Sequence, residues 1–149
     1  MTQENLVLVV QRKIKASPER LFDAWTKPEL MRQWFRAREK MTTPVAEADL
    51  KVGGPWKVVM RTDEGKEFPN NGKYLELDRP NKLVFTWHPM GMADYETKVT
   101  LRFKKISDGF TEMTLTHEGL RDQDWYNKHQ GGWIGCVDSL ESWMKDQAV

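Results

Sequence analysis

Three polar side chains stand on strand-like segments of the chain, where they are candidates for acid–base or ligand-orienting chemistry. Tyr74 and Glu76 are two residues apart and so share one face of their strand, while His117 has the parity of the apolar residues Met113 and Leu115. A phenol, a carboxylate and an imidazole inside an apolar cup could orient a polar ligand group or move a proton. The alternative is a structural network in which each group lies at the mouth of the cup or bonds to a neighbour.

The strand that carries Tyr74 and Glu76 is ambiguous. Leu75 and Leu77 occupy its other face, so that both faces bear large residues. Alternation alone therefore leaves open which pair faces the core.

Aromatic residues are the second chemical feature. The chain has 7 tryptophans among its 149 residues, and each indole combines a large apolar surface with one N–H donor. Core packing is one interpretation, and a shared pocket wall is the other. The aromatic candidates for that wall are Trp34, Phe35, Trp56, Trp87 and Trp133.

Other chemistries find little support in the sequence. The three histidines, His88, His117 and His129, include no pair with the spacing of a local zinc site, so no metal and no cofactor is expected. The single cysteine, Cys136, falls on the apolar stripe of a helix and is predicted to be a buried structural thiol. The glycine pairs match neither a phosphate-binding loop nor a dinucleotide fingerprint.

Composition narrows the class of protein. A net charge of +1 argues against nucleic-acid binding, and no apolar run is long enough to span a membrane. The start, Met1–Asn5, lacks the features of a signal peptide. With one cysteine and no possible internal disulfide, these features predict a cytoplasmic protein that forms one domain over residues 1–149.

The predicted elements that position these residues are a strand, two short helices, about six further strands and a long helix. Alternation begins in Leu6–Ile14, and Ser17 followed by Pro18 is typical of a helix start. Strands joined by hairpins follow and imply an antiparallel sheet. A last helix is expected to begin near Asp122. Gly131, Gly132 and Gly135 weaken this helix, which suggests that another part of the backbone approaches it closely.

Several motifs resemble the activator of heat-shock protein 90 ATPase homologue-like family. The segment Ile14–Phe35 reads I-x-ASPE-x-LF-x-AW-x-x-PEL-x-x-x-WF and is similar to the opening of that family. Asp49–Trp56 resembles its Gly-Gly turn, Gly72–Trp87 its central hairpin, and His129–Trp133 its C-terminal helix. The resemblance covers nearly the whole chain in the same order.

This resemblance implies an α+β helix-grip fold of the SRPBCC superfamily, which includes START, birch-pollen-allergen and polyketide-cyclase proteins. A seven-stranded antiparallel sheet would wrap around a long C-terminal helix, with two short N-terminal helices at one end. The resemblance also favours an inward orientation for Tyr74 and Glu76. Fold analogy does not choose among the functions found in the superfamily.

We therefore expect a protein that binds a small hydrophobic or aromatic ligand in a cavity between the sheet and the C-terminal helix. One alternative is a cyclase- or hydrolase-type enzyme using the polar cavity residues, and another is a co-chaperone-like protein that binds a heat-shock ATPase. A homodimer formed through the sheet edge or through Trp125 and Trp143 is a further possibility. The predicted ligand-binding residues are Trp34, Trp56, Val58, Met60, Tyr74, Glu76, Phe85, Trp87, Leu101, His117, Trp133 and Val137.

Overall fold

The computed structural model of the chain describes residues 6–147, so the predicted absence of a signal peptide concerns a segment, residues 1–5, outside the described residues. Over residues 6–147 the chain forms seven strands and three helices, with a short 3-10 turn at Pro89–Gly91. The elements are β1 (Leu6–Ile14), α1 (Pro18–Thr26), α2 (Pro28–Trp34), β2 (Thr42–Ala48), β3 (Pro55–Arg61), β4 (Glu67–Asp78), β5 (Lys82–Trp87), β6 (Thr97–Ser107), β7 (Phe110–Leu120) and α3 (Gln123–Gln147).

All seven strands belong to one antiparallel sheet in the order β1-β7-β6-β5-β4-β3-β2. Six strands form a meander because hairpins join them in sequence, and β1 adds to its far edge beside β7. The apolar stripe of α3 is buried against the same face of the sheet as Leu101 and Leu115. The predicted helix-grip arrangement is therefore confirmed.

The helix starts follow from local chemistry. Ser17 caps α1, because its Oγ accepts a hydrogen bond from the backbone N–H of Arg20 at 3.2 Å, and Pro18 takes the first helical position. Asp122 does the same for α3, where Oδ1 accepts from the backbone N–H of Trp125 at 2.9 Å. Within the part of the chain that the structure describes, no helix is both long and apolar enough to cross a membrane.

The segment between α2 and β2 crosses α3 at very short range. A Cβ atom placed on Gly135 would stand 1.8 Å from the carbonyl oxygen of Ala37, which is far inside any allowed contact. A Cβ on Gly131 would meet nothing within 4 Å. The expected close backbone approach therefore exists at Gly135, and it fixes the segment against the middle of the helix.

Gly135→Ala is expected to destabilise the fold although alanine is the better helix former. The added methyl group must push the Ala37 backbone away, and such overpacking costs about 1–3 kcal/mol or more. Gly131→Ala, its matched control on the same helix, is expected to stabilise by about 0.5–1 kcal/mol. Chemical denaturation of both variants measures the difference, and a Gly135→Ala variant as stable as the control would contradict the packing described.

Candidate functional site

A cleft opens beside the first half of α3. It has a volume of about 770 Å³ and lies between that helix, the hairpin of β3 and β4, and the segment that links α2 to β2. This volume falls within the range of small-molecule sites. Its wall is largely apolar and includes Phe35, Met41, Met60, Phe68, Trp87 and Trp133.

The predicted site residues divide into four groups. Met60, Trp87 and Trp133 line the cleft. A second group lies behind Trp87, around a void of about 10 Å³ that has room for no more than about one water molecule. A third group is fully buried in the core at 0% exposure. Glu76 is the fourth group and lies outside the cleft, the void and the core. The second group is Trp56, Val58, Tyr74 and Phe85, and the third is Trp34, Leu101, His117 and Val137.

Three indoles fill the space under the helix that the sequence suggested would be hollow. The ring of Trp87 has its centroid 4.8 Å from that of Trp133 and 5.4 Å from that of Trp56. These are contact distances for aromatic pairs. The open volume consequently lies to one side of the three rings, and only Trp87 and Trp133 border it.

The prediction that Glu76 faces the interior together with Tyr74 is wrong. A bulge lies between them, because Tyr74 pairs with Phe85 while Glu76 pairs with Val84, so that β4 advances two residues and β5 only one. The extra residue moves Glu76 to the outer face of the sheet. Its side chain is 49% exposed there, and it forms an ion pair with Lys82 at 3.1 Å. Tyr74 remains inside, where burial raises the pKa of its phenol.

His117 joins α3 to the sheet through hydrogen bonds at both ring nitrogens. The indole Nε1–H of Trp133 donates to His117 Nδ1 at 2.9 Å. An indole has no acceptor, so Nδ1 must be unprotonated, and Nε2 carries the proton and donates to Thr97 Oγ1 at 2.7 Å. The Thr97 hydroxyl in turn donates to the backbone carbonyl of Trp87 at 2.7 Å. Every donor in this series of hydrogen bonds therefore has an acceptor only when His117 is neutral.

His129 repeats the arrangement at the edge of the cleft. The indole Nε1–H of Trp87 donates to His129 Nε2 at 3.2 Å, so the proton of this imidazole sits on Nδ1 and is donated to the carbonyl of Trp125 at 2.9 Å. The two imidazole rings lie edge to face with centroids 5.0 Å apart. Burial lowers the pKa of His117 well below its ordinary value, and the proximity of His129 lowers it further. Burial also lowers the pKa of His129.

The cleft includes residues that the sequence did not single out. Arg38 comes from the segment after α2, Lys66 and Phe68 from the β3–β4 hairpin, and Lys128 from the first turns of α3. Three of these four lie on exposed loop or helix surfaces, where neither alternation nor helical spacing marks a residue as facing a particular neighbour. Cys136 also borders the cleft, but burial raises the pKa of its thiol, which agrees with the predicted structural role.

We expect protonation of the two histidines to destabilise the fold as the pH falls. Because their pKa values are lowered in the folded state, the unfolded chain binds more protons below about pH 6.5. The free energy of unfolding should be constant above about pH 7.5. Below about pH 6.5 it should fall by up to about 1.4 kcal/mol per pH unit for each histidine. Urea denaturation at several pH values between about 5 and 8 measures this slope. Most carboxylates are already ionised in this range, so they contribute little to it.

The variant His129→Gln tests the assignment, since an amide oxygen can still accept the Trp87 N–H but the group no longer titrates in this range. Its slope should be about half that of the parent protein. An unchanged slope would show that His129 does not contribute to the pH dependence.

Solved structures of bacterial proteins share this architecture. A protein from Chromobacterium violaceum superposes with a TM-score of 0.81 at 24% identity, covering 92% of this chain and 96% of the other. A protein from Nitrosomonas europaea gives 0.80 at 24% identity, with 95% and 96% covered. An AHSA1 protein from Silicibacter pomeroyi gives 0.81 at 24% identity, with 95% and 99% covered. At these identities the likeness establishes the fold.

A search of curated proteins finds no match. The model of one family, described as activator of Hsp90 ATPase homolog 1-like protein, matches residues 15–145. That match spans most of the chain. The chain therefore belongs to the activator of Hsp90 ATPase homolog 1-like family, within the SRPBCC superfamily.

Proposed function

We propose that this protein binds a small, largely apolar molecule of aromatic size in the cleft beside α3. The observation that carries the proposal is the largely apolar lining of a roughly 770 Å³ opening, in which Phe68, Met90 and Trp125 present half-buried or exposed surface. The nearly buried rings of Phe35, Trp87 and Trp133 also border it. Concave apolar surface of this size is the usual setting for small-molecule sites.

The fixed orientation of the two indoles supports this proposal. Because Trp87 and Trp133 donate their N–H groups to His129 and His117, their polar edges are already satisfied inside the protein. At these two residues a ligand in the cleft would therefore meet no free hydrogen-bond donor. Such preorganised apolar surface lowers the cost of ordering side chains when the ligand binds. Trp56 supports the Trp87 ring from behind, with ring centroids 5.4 Å apart, and Phe85 packs in turn on Trp56 with centroids 5.3 Å apart.

The enzyme alternative depends on Tyr74, Glu76 and His117 acting on one substrate. Glu76 is on the opposite face of the sheet, and both nitrogens of the fully buried His117 are bonded within the protein. These positions favour ligand binding over acid–base chemistry by that trio.

The two remaining alternatives stay predictions. Binding to a heat-shock ATPase rests on the family name. The proposed dimer contacts have partners within the chain, because Trp143 donates to Gln33 Oε1 at 3.0 Å and Trp125 packs edge to face on Tyr95 with centroids 5.3 Å apart.

A bulky residue at Gly131 is expected to block the cleft. Gly131 lines the opening and has free space around its Cβ position, so Gly131→Phe should fold and place its ring in the volume a ligand would occupy. We expect at least a roughly tenfold loss of affinity for the neutral fluorophore N-phenylnaphthylamine, corresponding to about 1.4 kcal/mol. Titration followed by tryptophan quenching measures it.

Gln130→Phe is the matched control, because Gln130 is the exposed neighbour on the same helix and does not line the cleft. Its affinity should equal that of the parent protein. Equal affinity in both variants would place the fluorophore elsewhere and contradict the proposal. Native mass spectrometry of protein purified from its own source then identifies a co-purifying molecule.

A further inference from the structure

We propose that the cleft selects molecules carrying one anionic group, a carboxylate, sulfonate or phosphate, at the end of an apolar body. This inference rests on the proposed function and specifies its ligand class. The anion would lie at the mouth near the exposed Arg38 and Lys66, and the apolar body would lie deeper in the cleft, toward Trp87 and Trp133.

The charged residues that line the cleft are all basic. Arg38, Lys66 and Lys128 line the cleft, and no aspartate or glutamate is among the described residues that do so. The whole chain is nearly balanced, with 23 basic and 22 acidic residues. The positive character is therefore local to this surface, and a concave surface with charge of one sign attracts ligands of the opposite sign.

Two of these cations are not neutralised by ion pairs. Among residues 6–147, neither Arg38 nor Lys66 has a carboxylate within 4.0 Å. The carboxylate of Glu67, next to Lys66, binds the guanidinium of Arg61 at 2.7 Å instead. Lys66 Nζ stands 5.1 Å from the ring centroid of Phe68, a contact that keeps the ammonium at the cleft.

Lys128 contributes less to the proposed site. Its Nζ is 3.1 Å from Asp124 Oδ2 one helical turn earlier, so its charge is partly compensated. The anion is therefore assigned to Arg38 and Lys66, whose charges no carboxylate of the described residues compensates, rather than to Lys128.

The exposed fractions of the lining side chains indicate how such a ligand would be oriented. Arg38 and Lys66 are exposed, whereas Phe35, Trp87 and Trp133 are each no more than 4% exposed. A molecule bound with its apolar end inward would bury its hydrocarbon surface and keep its charged end partly hydrated. This orientation avoids the large cost of burying an ion in the apolar interior.

Two probes with the same aromatic body test the inference. Anilinonaphthalene sulfonate carries the anion, and N-phenylnaphthylamine is its neutral parent. We expect tighter binding of the sulfonate by about tenfold at low salt, the combined effect of two partly solvated cations. Raising the NaCl concentration from about 0.05 to 0.5 M should weaken binding of the sulfonate and leave the neutral probe unchanged.

The double variant Arg38→Gln/Lys66→Gln removes both charges and should lose about tenfold in affinity for the sulfonate alone. Its matched control is Lys57→Gln/Arg102→Gln, which changes the net charge equally at exposed positions on the outer face of the sheet. Urea denaturation of both variants confirms that they are folded.

The outcomes separate the two proposals. Equal affinities for both probes, or equal effects of the two double variants, would overturn the anion preference and leave ligand binding in place. Failure of both probes to bind the parent protein would overturn the proposed function and the anion preference with it.

Discussion

Two indole N–H groups in an apolar interior impose the constraint on which the rest of this structure depends. Each must find an acceptor, because an unsatisfied buried donor costs about 1–3 kcal/mol. Trp133 and Trp87 find theirs on His117 and His129, and the second nitrogen of each imidazole must then be a donor. The result is a set of directional bonds that connects α3 with β5, β6 and β7, where apolar contact alone would allow the helix to slide.

The position of the cleft follows from how this constraint is met. With Trp56, Trp87 and Trp133 drawn together under the helix, the centre of the sheet is filled. The close contact between Gly135 and Ala37 holds the α2–β2 segment on the helix, and the β3–β4 hairpin is the third element that lines the cleft. The space left between these elements is the cleft, bounded on one side by rings whose orientation is already fixed.

The sequence predicts the elements well because their signals are local. Ser17 with Pro18 starts α1, Asp122 caps α3, and regular alternation defines strands such as β5 and β7. The bulge after Tyr74 could not be predicted, because large residues on both faces of β4 hide the change of face. The cleft could be predicted only in part, since Arg38 and Lys66 come from loops, where periodicity carries no information about contacts. The hydrogen bonds of His117 depend on residues far apart in the chain, and no spacing rule connects them.

The aromatic cluster also gives the folded protein an optical property. Indoles whose centroids are 4.8 and 5.4 Å apart in fixed, non-parallel orientations couple their electronic transitions. The relative angles of these three chromophores are therefore expected to contribute to the near-ultraviolet circular dichroism of this protein, as is the Trp25–Trp34 pair, whose centroids are also 4.8 Å apart. A rotation of the Trp87 ring too small to change the helix content would still alter that spectrum, which makes the cluster an intrinsic sensor of its own packing.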